Sequence, residues 1–105
     1  MSDPKFKPID ASVIPRFSGV ATFMRTKSIE PCEEIDIGLC GVPFDIGVNY
    51  RAGTREAPGA VRHASRLIRS SHPTTGVQPY NLCNIADIGD APVNPLNFES
   101  SIASI

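Results

Sequence analysis

Two carboxylates, Asp87 and Asp90, stand three residues apart at the end of an apolar stretch. Paired carboxylates can exchange protons with a substrate or bind a metal. Residues three apart point to opposite sides of an extended strand, so we do not expect these side chains to converge. Asp45 ends an earlier apolar stretch, where an aspartate commonly turns the backbone through its own side chain. We therefore favour structural roles for all three carboxylates.

The best local candidates for a function are Asn49, Tyr50 and Arg51. They lie at the tip of a loop, residues 44–57, that is long for a strand-to-helix connection, and loops of this length are often functional. Polar side chains there could line a substrate entrance or a subunit interface, and holding the loop is the equal alternative. Gly53 is expected to supply a backbone conformation that other residues avoid.

Histidine and cysteine, the usual metal ligands, show no metal-binding pattern. His63 is expected on the solvated face of a helix and His72 in a loop before a proline. The three cysteines, Cys32, Cys40 and Cys83, match no metal or redox spacing, and we expect reduced thiols buried as small hydrophobes. No metal ligand is assigned in this chain.

The elements that position these residues are predicted to be a strand, a helix and a second strand. Residues 35–42 are mostly apolar and are closed by Pro43, which is typical of a strand buried in a parallel sheet. Residues 82–88 predict the second strand, ending at Gly89 and Asp90. The parallel pair with its helix makes one βαβ unit, which is expected to cross over right-handed.

The helix between the strands is predicted to begin at Pro58 and to end within residues 70–73. Its apolar stripe and its arginines occupy opposite faces. The stripe consists of Ala60, Val61, Ala64, Leu67 and Ile68, and the arginines are Arg62, Arg66 and Arg69. Arg62 is expected to pair with a carboxylate inside a complete domain, whereas Arg66 and Arg69 form a solvated face.

Two segments flank this unit. Residues 1–30 are rich in proline and are predicted to form an extended arm, with a short structured piece near residues 17–24, or else a disordered tail. At the other end Asn97 is a predicted helix N-cap, and the helical spacing of apolar residues still runs at Ile105. A single βαβ unit leaves sheet edges and one face uncovered, so we expect residues 31–105 to be part of a larger α/β domain.

The overall charge is −1, which argues against a dedicated nucleic-acid binder and against electrostatic membrane binding. No apolar run approaches a membrane span, and no secretory signal is recognised. We expect a cytoplasmic protein, with the mitochondrial matrix as the alternative. A dinucleotide-binding unit is disfavoured because Gly41, Gly47 and Gly53 are too widely spaced for the phosphate-binding motif.

Several spaced blocks resemble the N-terminal portion of the ureohydrolase (arginase/agmatinase) superfamily, in particular its agmatinase and guanidino-acid hydrolase branch. The blocks are residues 41–45, 49–62 and 86–90, with residues 15–17 and 22–25 in the arm. One departure is Ala57 before Pro58, where the family usually has glycine; a positive φ at Ala57 would be strained.

The resemblance implies a doubly wound, mainly parallel arginase-like fold and a binuclear manganese centre at the carboxyl ends of the strands. Metal-bound hydroxide then releases urea and an amine from a guanidino substrate. The family's ligand motifs are absent, so these ligands are expected beyond Ile105. The resemblance also implies a trimeric or hexameric homo-oligomer.

Two functions follow as alternatives. The first is the N-terminal fragment of an active guanidino-compound hydrolase, with agmatine as the first expected substrate and 4-guanidinobutyrate, 3-guanidinopropionate and guanidine as others. The second is a truncated, non-catalytic protein that binds a partner, for example by strand addition at an open sheet edge. In both, the 105-residue chain alone is expected to be inactive.

Overall fold

The computed structural model describes residues 6–105, which form one parallel sheet with helices against it. The three strands are β1 (Lys27–Ser28), β2 (Ile37–Gly41) and β3 (Ile85–Asp90), and their order in the sheet is β1-β3-β2. Both neighbours run parallel to β3. The predicted α/β class and the parallel pairing of the two main strands are confirmed.

The central strand β3 carries most of the core. Ile85, Ala86 and Asp87 are buried, whereas β2 lies at the outer edge of the sheet with Ile37 44% exposed. The prediction that the first strand is buried was therefore wrong for the described residues. β2 is also shorter than predicted: the ladder with β3 begins at Ile37, and the Asp36 amide donates to the Asn84 carbonyl just before it.

The N-terminal segment contributes a strand that the sequence pattern did not predict. After a 3-10 turn at Phe23–Arg25, strand β1 pairs with Ala86 and Asp87 of β3. Met24 and Arg25 both have left-handed backbone (φ 55° and 58°), which costs non-glycine residues about 1–2 kcal/mol each. The Ser65 hydroxyl, 2.8 Å from the Met24 amide that donates to it, helps to hold this turn. The predicted arm at residues 1–30 thus includes a sheet strand, and residues 1–5 lie outside the described part.

Helix α1 (Ala57–Ala64) connects β2 to β3 and tightens into a 3-10 turn at Ser65–Leu67. The chain becomes extended at Ile68, so the helix ends earlier than predicted. Pro58 lies in the first turn, as predicted, and Ala57 has ordinary helical angles (φ −60°, ψ −46°). The glycine usual at this position in the family is therefore not required by the backbone here.

The orientation of α1 is opposite to the one that its apolar stripe suggests. Val61 is 53% and Leu67 74% exposed, while the side chain of Arg62 is only 14% exposed and points toward β3. Two aspartates on β3 account for this orientation, because they bind the Arg62 guanidinium. The apolar stripe is consequently left on the outside of the described residues.

The second predicted strand begins three residues late, since Pro79–Asn81 form a 3-10 turn and Asn84 is occupied in side-chain contacts. Helix α2 (Phe98–Ser104) follows, and the Asn97 side chain accepts a hydrogen bond from the Ser100 amide at 3.0 Å, which confirms the predicted N-cap. Among residues 6–105, no helix combines the length and the apolarity needed to cross a bilayer.

The contact between β2, β3 and α1 leaves no room at Gly41. A methyl group there would collide with the Asp90 carboxylate and approach the Pro58 Cβ to 2.7 Å. We expect Gly41→Ala to lower the free energy of unfolding by about 1–3 kcal/mol, the usual cost of overpacking. Gly59→Ala is the matched control: nothing lies within 4 Å of its added methyl, and better helix propensity should raise stability by up to about 1 kcal/mol. Urea unfolding of both variants checks this, and equal effects would contradict it.

Candidate functional site

The loop after β2 is closed by the buried carboxylate of Asp45, which is 5% exposed. Its Oδ2 accepts a hydrogen bond from the Gly53 amide at 2.8 Å, and the Arg55 side chain donates to Oδ1 at 2.9 Å. Gly53 can make this contact because glycine readily adopts its φ of 146°, which other residues avoid. Asp45 thus binds an amide eight positions later in the chain, a longer reach than the local turn that the sequence predicts.

The hydrogen bond from the Arg55 side chain lowers the pKa of Asp45, and the amides of Gly53 and Arg55 add to this against the opposing effect of burial. The same ion pair raises the pKa of Arg55. Asp45 is therefore an ionised anchor and is poorly suited to carry a proton at neutral pH. Arg55 was not singled out from the sequence; its partner lies ten residues earlier, and no short-range pattern links them.

The three predicted entrance residues lie together at the tip of this loop. Asn49, Tyr50 and Arg51 are exposed, Tyr50 to 83%, and the Arg51 guanidinium carbon lies 5.0 Å from the centre of the Tyr50 ring. The loop follows the carboxyl end of β2, the edge where open α/β sheets bind ligands. A small pocket of about 170 Å³ lies between Asp45, Arg55 and Val93. The role of Asn49, Tyr50 and Arg51 at a substrate entrance remains a prediction.

Asp87 and Asp90 do converge, against expectation, on Arg62. The Arg62 Nε and Nη2 donate to the two oxygens of Asp87 at 2.8 and 3.1 Å, and Nη1 lies 2.8 Å from Asp90 Oδ1. The cause is a β-bulge: Leu39 pairs with Asp87 but Cys40 pairs with Gly89, so Ile88 is an extra residue in β3. Gly89, at φ 90°, allows the bend, and the shifted alternation brings both aspartates to one side.

Burial alone would raise the pKa of Asp87, but the Arg62 side chain and the amides of Phe23 and Gly89 hold that pKa below its ordinary value. The hydrogen bond with Asp87 raises the pKa of Arg62. The Phe23 ring packs against the guanidinium, with its centre 4.2 Å from the Arg62 Cζ. The expected pairing of Arg62 with a carboxylate is confirmed, and these carboxylates are occupied in a structural contact.

The two histidines have local partners. His63 is exposed and contacts Arg66, and His72 Nδ1 accepts hydrogen bonds from the amides of Thr74 and Thr75, so each has a place in the local structure.

Cys32 and Cys40 are exposed free thiols, so the prediction of buried cysteines was wrong for these two; Cys83 is half-buried. Nowhere in residues 6–105 do three or more side chains of His, Cys, Asp or Glu form a group able to hold a metal. The described residues therefore do not fit a manganese centre.

The loop closure by Asp45 predicts protease resistance at the tip. Asp45→Asn loses the ion pair to Arg55, and we expect faster trypsin cleavage after Arg51, because native-state cleavage follows the population of the open loop. Asp10→Asn is the control, since within residues 6–105 the side chain of this exposed aspartate hydrogen-bonds only to nearby Ser12. Equal cleavage rates at Arg51 in the two variants would contradict the anchor.

The buried contact between Arg62 and Asp87 predicts a dependence of stability on pH. At pH 7, Asp87→Asn should cost on the order of 3 kcal/mol, because it leaves a poorly solvated arginine with fewer charges around it. Because the folded pKa of Asp87 is lowered, its contribution is complete above about pH 4 and is lost as the pH falls through that pKa. Denaturant unfolding at several pH values should show the difference from wild type shrinking in acid.

Asp90→Asn supplies the control for this second experiment. The Asp90 side chain is 39% exposed and makes one contact with Arg62, so its replacement should cost about 1 kcal/mol or less. A cost as large as that of Asp87→Asn, or a difference that persists below the lowered pKa, would contradict the assignment.

Comparison with known proteins identifies the family of this chain. A model of the arginase family matches residues 35–105, more than half of the chain. The chain is 43% identical to a guanidinopropionase of Pseudomonas aeruginosa over all of its 105 residues, which cover 33% of that protein. It is 32% identical to a human mitochondrial guanidino acid hydrolase over 97% of this chain and 29% of the relative. The chain thus spans about a third of the length of the curated relatives that it matches.

Comparison with solved structures agrees with the sequence comparison. The structure of proclavaminate amidino hydrolase from Streptomyces clavuligerus superimposes with a TM-score of 0.80 and 32% identity, over 86% of this chain and 30% of that one. The family match, the similarity across the whole chain and the shared fold agree: this chain belongs to the arginase family, whose matching relatives are guanidino-compound hydrolases.

Proposed function

We propose that this chain is the N-terminal portion of a manganese-dependent hydrolase that cleaves a guanidino acid to urea and an amine. The observation that carries the proposal is the 43% identity to guanidinopropionase along the entire chain. A second relative, 37% identical, is a guanidinobutyrase of the same bacterium, and both are named for guanidino acids. Agmatine remains the alternative substrate, since an agmatinase is 33% identical.

The part that these residues play is to build one wall of the site. The loop that Asp45 ties down carries Asn49, Tyr50 and Arg51 beyond the carboxyl end of β2. The bridge from Arg62 to β3 fixes α1 and the strand end beside it. Exposed polar and aromatic side chains on a fixed loop suit contact with a small substrate or with a neighbouring subunit, and neither role needs a proton transfer from this chain.

The metal ligands in this proposal lie in sequence beyond Ile105, because the described residues do not fit a metal centre. Manganese, when bound, supplies an activated water for attack on the guanidinium carbon. In the reaction, water adds to that carbon and the C–N bond to the amine breaks, which balances as urea plus the amino acid. We further propose a trimeric or hexameric homo-oligomer, in the cytoplasm or in the mitochondrial matrix.

A second candidate is a non-catalytic protein that binds a partner through β2. This strand is at the outer edge of the sheet, and its Ile37 and Cys40 are exposed. An open parallel edge can accept a strand from another chain. The hydrolase is favoured because the similarity to enzymes extends along the whole chain.

The intact mass of the natural gene product separates the two candidates. A mass about three times the 11.3 kDa of this chain is expected, since the chain covers 33% of guanidinopropionase. A mass near 11.3 kDa would remove the enzyme proposal for this polypeptide and leave the partner-binding one.

The natural product should then release urea from 3-guanidinopropionate or 4-guanidinobutyrate, and the activity should be lost on chelation and restored by Mn²⁺. Agmatine, arginine and guanidine are assayed in parallel, and the 105-residue chain alone serves as the negative control. Activity on agmatine but on neither guanidino acid would overturn the substrate class. If the natural product releases urea from none of these compounds, the hydrolase proposal is overturned.

A further inference from the structure

An open cleft of about 400 Å³ lies at the end of α1 that is remote from the Asp45 loop. Its walls are the N-terminal segment around residues 7–11, the stretch that follows α1, and the turn before β3. Because α1 begins where the Asp45 loop ends and runs back along the sheet, the cleft lies toward the amino ends of the strands. The cleft therefore lies at the end of α1 opposite the loop that carries Asn49, Tyr50 and Arg51.

Positive charge dominates this cleft. Among residues 6–105, the charged side chains that line it are Lys7, Arg16, Arg25, Arg66, Arg69 and one carboxylate, Asp10. Five cations against one anion within this described part is a strong local excess in a chain whose net charge is −1. Such a concave cluster concentrates anions by its field.

The cations that have partners are held by neutral acceptors, so their charge is not compensated. The Lys7 Nζ donates to the Tyr80 carbonyl at 2.9 Å and to Asn81 Oδ1 at 2.7 Å. Arg25 donates to the Ile14 carbonyl at 3.0 Å. Each contact fixes the position of the cation and leaves its full charge in the cleft.

Two arginines at the cleft rim, Arg16 and Arg69, are available for a ligand, whereas Arg66 is held by neutral acceptors. Arg66 donates to the Phe17 carbonyl at 3.1 Å and contacts His63. Arg16 and Arg69 make no ion pair with a carboxylate of residues 6–105. Unpaired guanidinium groups present planar, bidentate donors that match carboxylate and phosphate oxygens.

The wall behind these groups is fixed in an unusual backbone conformation. Met24 and Arg25, both left-handed, line the cleft, and the Tyr80 hydroxyl lies 3.4 Å from the Met24 sulfur. Consecutive non-glycine residues in this conformation persist only where their surroundings determine it, and they occur preferentially at ligand sites. The turn places the buried Arg25 beneath the cleft with its charge already oriented.

We propose that this cleft binds a small multivalent oxyanion, a phosphate or a polycarboxylate, at the end of α1 opposite the Asp45 loop. The volume is within the range of small-molecule sites and is too small for a nucleic-acid duplex. The proposal depends only on residues of this chain and stands whether or not the hydrolase proposal does.

The test is a titration of the ¹⁵N-labelled 105-residue chain with inorganic phosphate and, separately, with citrate, with ionic strength held constant by NaCl. We expect saturable amide shifts confined to residues 7–16, 66–70 and 78–81. The double variant Arg16→Gln/Arg69→Gln should bind roughly tenfold or more weakly, the effect of losing hydrogen bonds to a charged group. Lys27→Gln, which removes an exposed cation outside the cleft, should bind like wild type.

Asp10→Asn gives a test that does not depend on loss of binding. Removing the one carboxylate at the cleft should tighten binding of both anions, and asparagine retains an acceptor for Ser12. Saturation by phosphate alone would identify a phosphate site, and tighter saturation by citrate a carboxylate site. No saturation in the millimolar range, equal weakening by Lys27→Gln, or no tightening by Asp10→Asn would overturn the proposal.

Discussion

The contact between Arg62 and two aspartates of β3 determines how this part of the protein is assembled. A guanidinium group that is mostly removed from water is stable only if carboxylates or other acceptors surround it, and Asp87 and Asp90 do so at 2.8–3.1 Å. The Phe23 ring covers one face, and the Phe23 amide donates to Asp87. One charged cluster thereby joins the N-terminal segment, α1 and β3.

The same contact explains why apolar residues face outward. With Arg62 turned toward β3, Val61 lies on the open side of α1, and Phe98 and Ile102 of α2 are each 51% exposed. Parallel sheets occur almost entirely with both faces covered, and apolar faces of this extent are ordinarily buried. Relatives about three times as long have the additional chain to cover them. The outward apolar surface is thus consistent with a larger α/β domain.

The sequence predicted those features that have a local cause. Pro43 after β2, Pro58 at the start of α1 and the Asn97 cap all act on the backbone within a few residues, and the corresponding elements form near their expected positions. The features that were missed depend on distant contacts. Strand β1 has two residues and no periodicity, and it forms because β3 offers a free edge.

In the candidate site, too, the features that the sequence missed depend on contacts beyond the local pattern. The spacing of Asp87 and Asp90 indicated divergence because the alternation of a regular strand was assumed, and one bulge at Gly89 reversed that conclusion.

At the carboxyl end of the sheet, Asp45, Asp87 and Asp90 are each neutralised by an arginine of this chain. With their lowered pKa values, Asp45 and Asp87 stay ionised and take up protons reluctantly, so these residues build a framework and leave the chemistry to other groups. Charge without a carboxylate partner gathers instead at the opposite end, where five cations meet around one cleft. A chain that pairs its charges at one end of a sheet and leaves them open at the other presents a different electrostatic surface at each end.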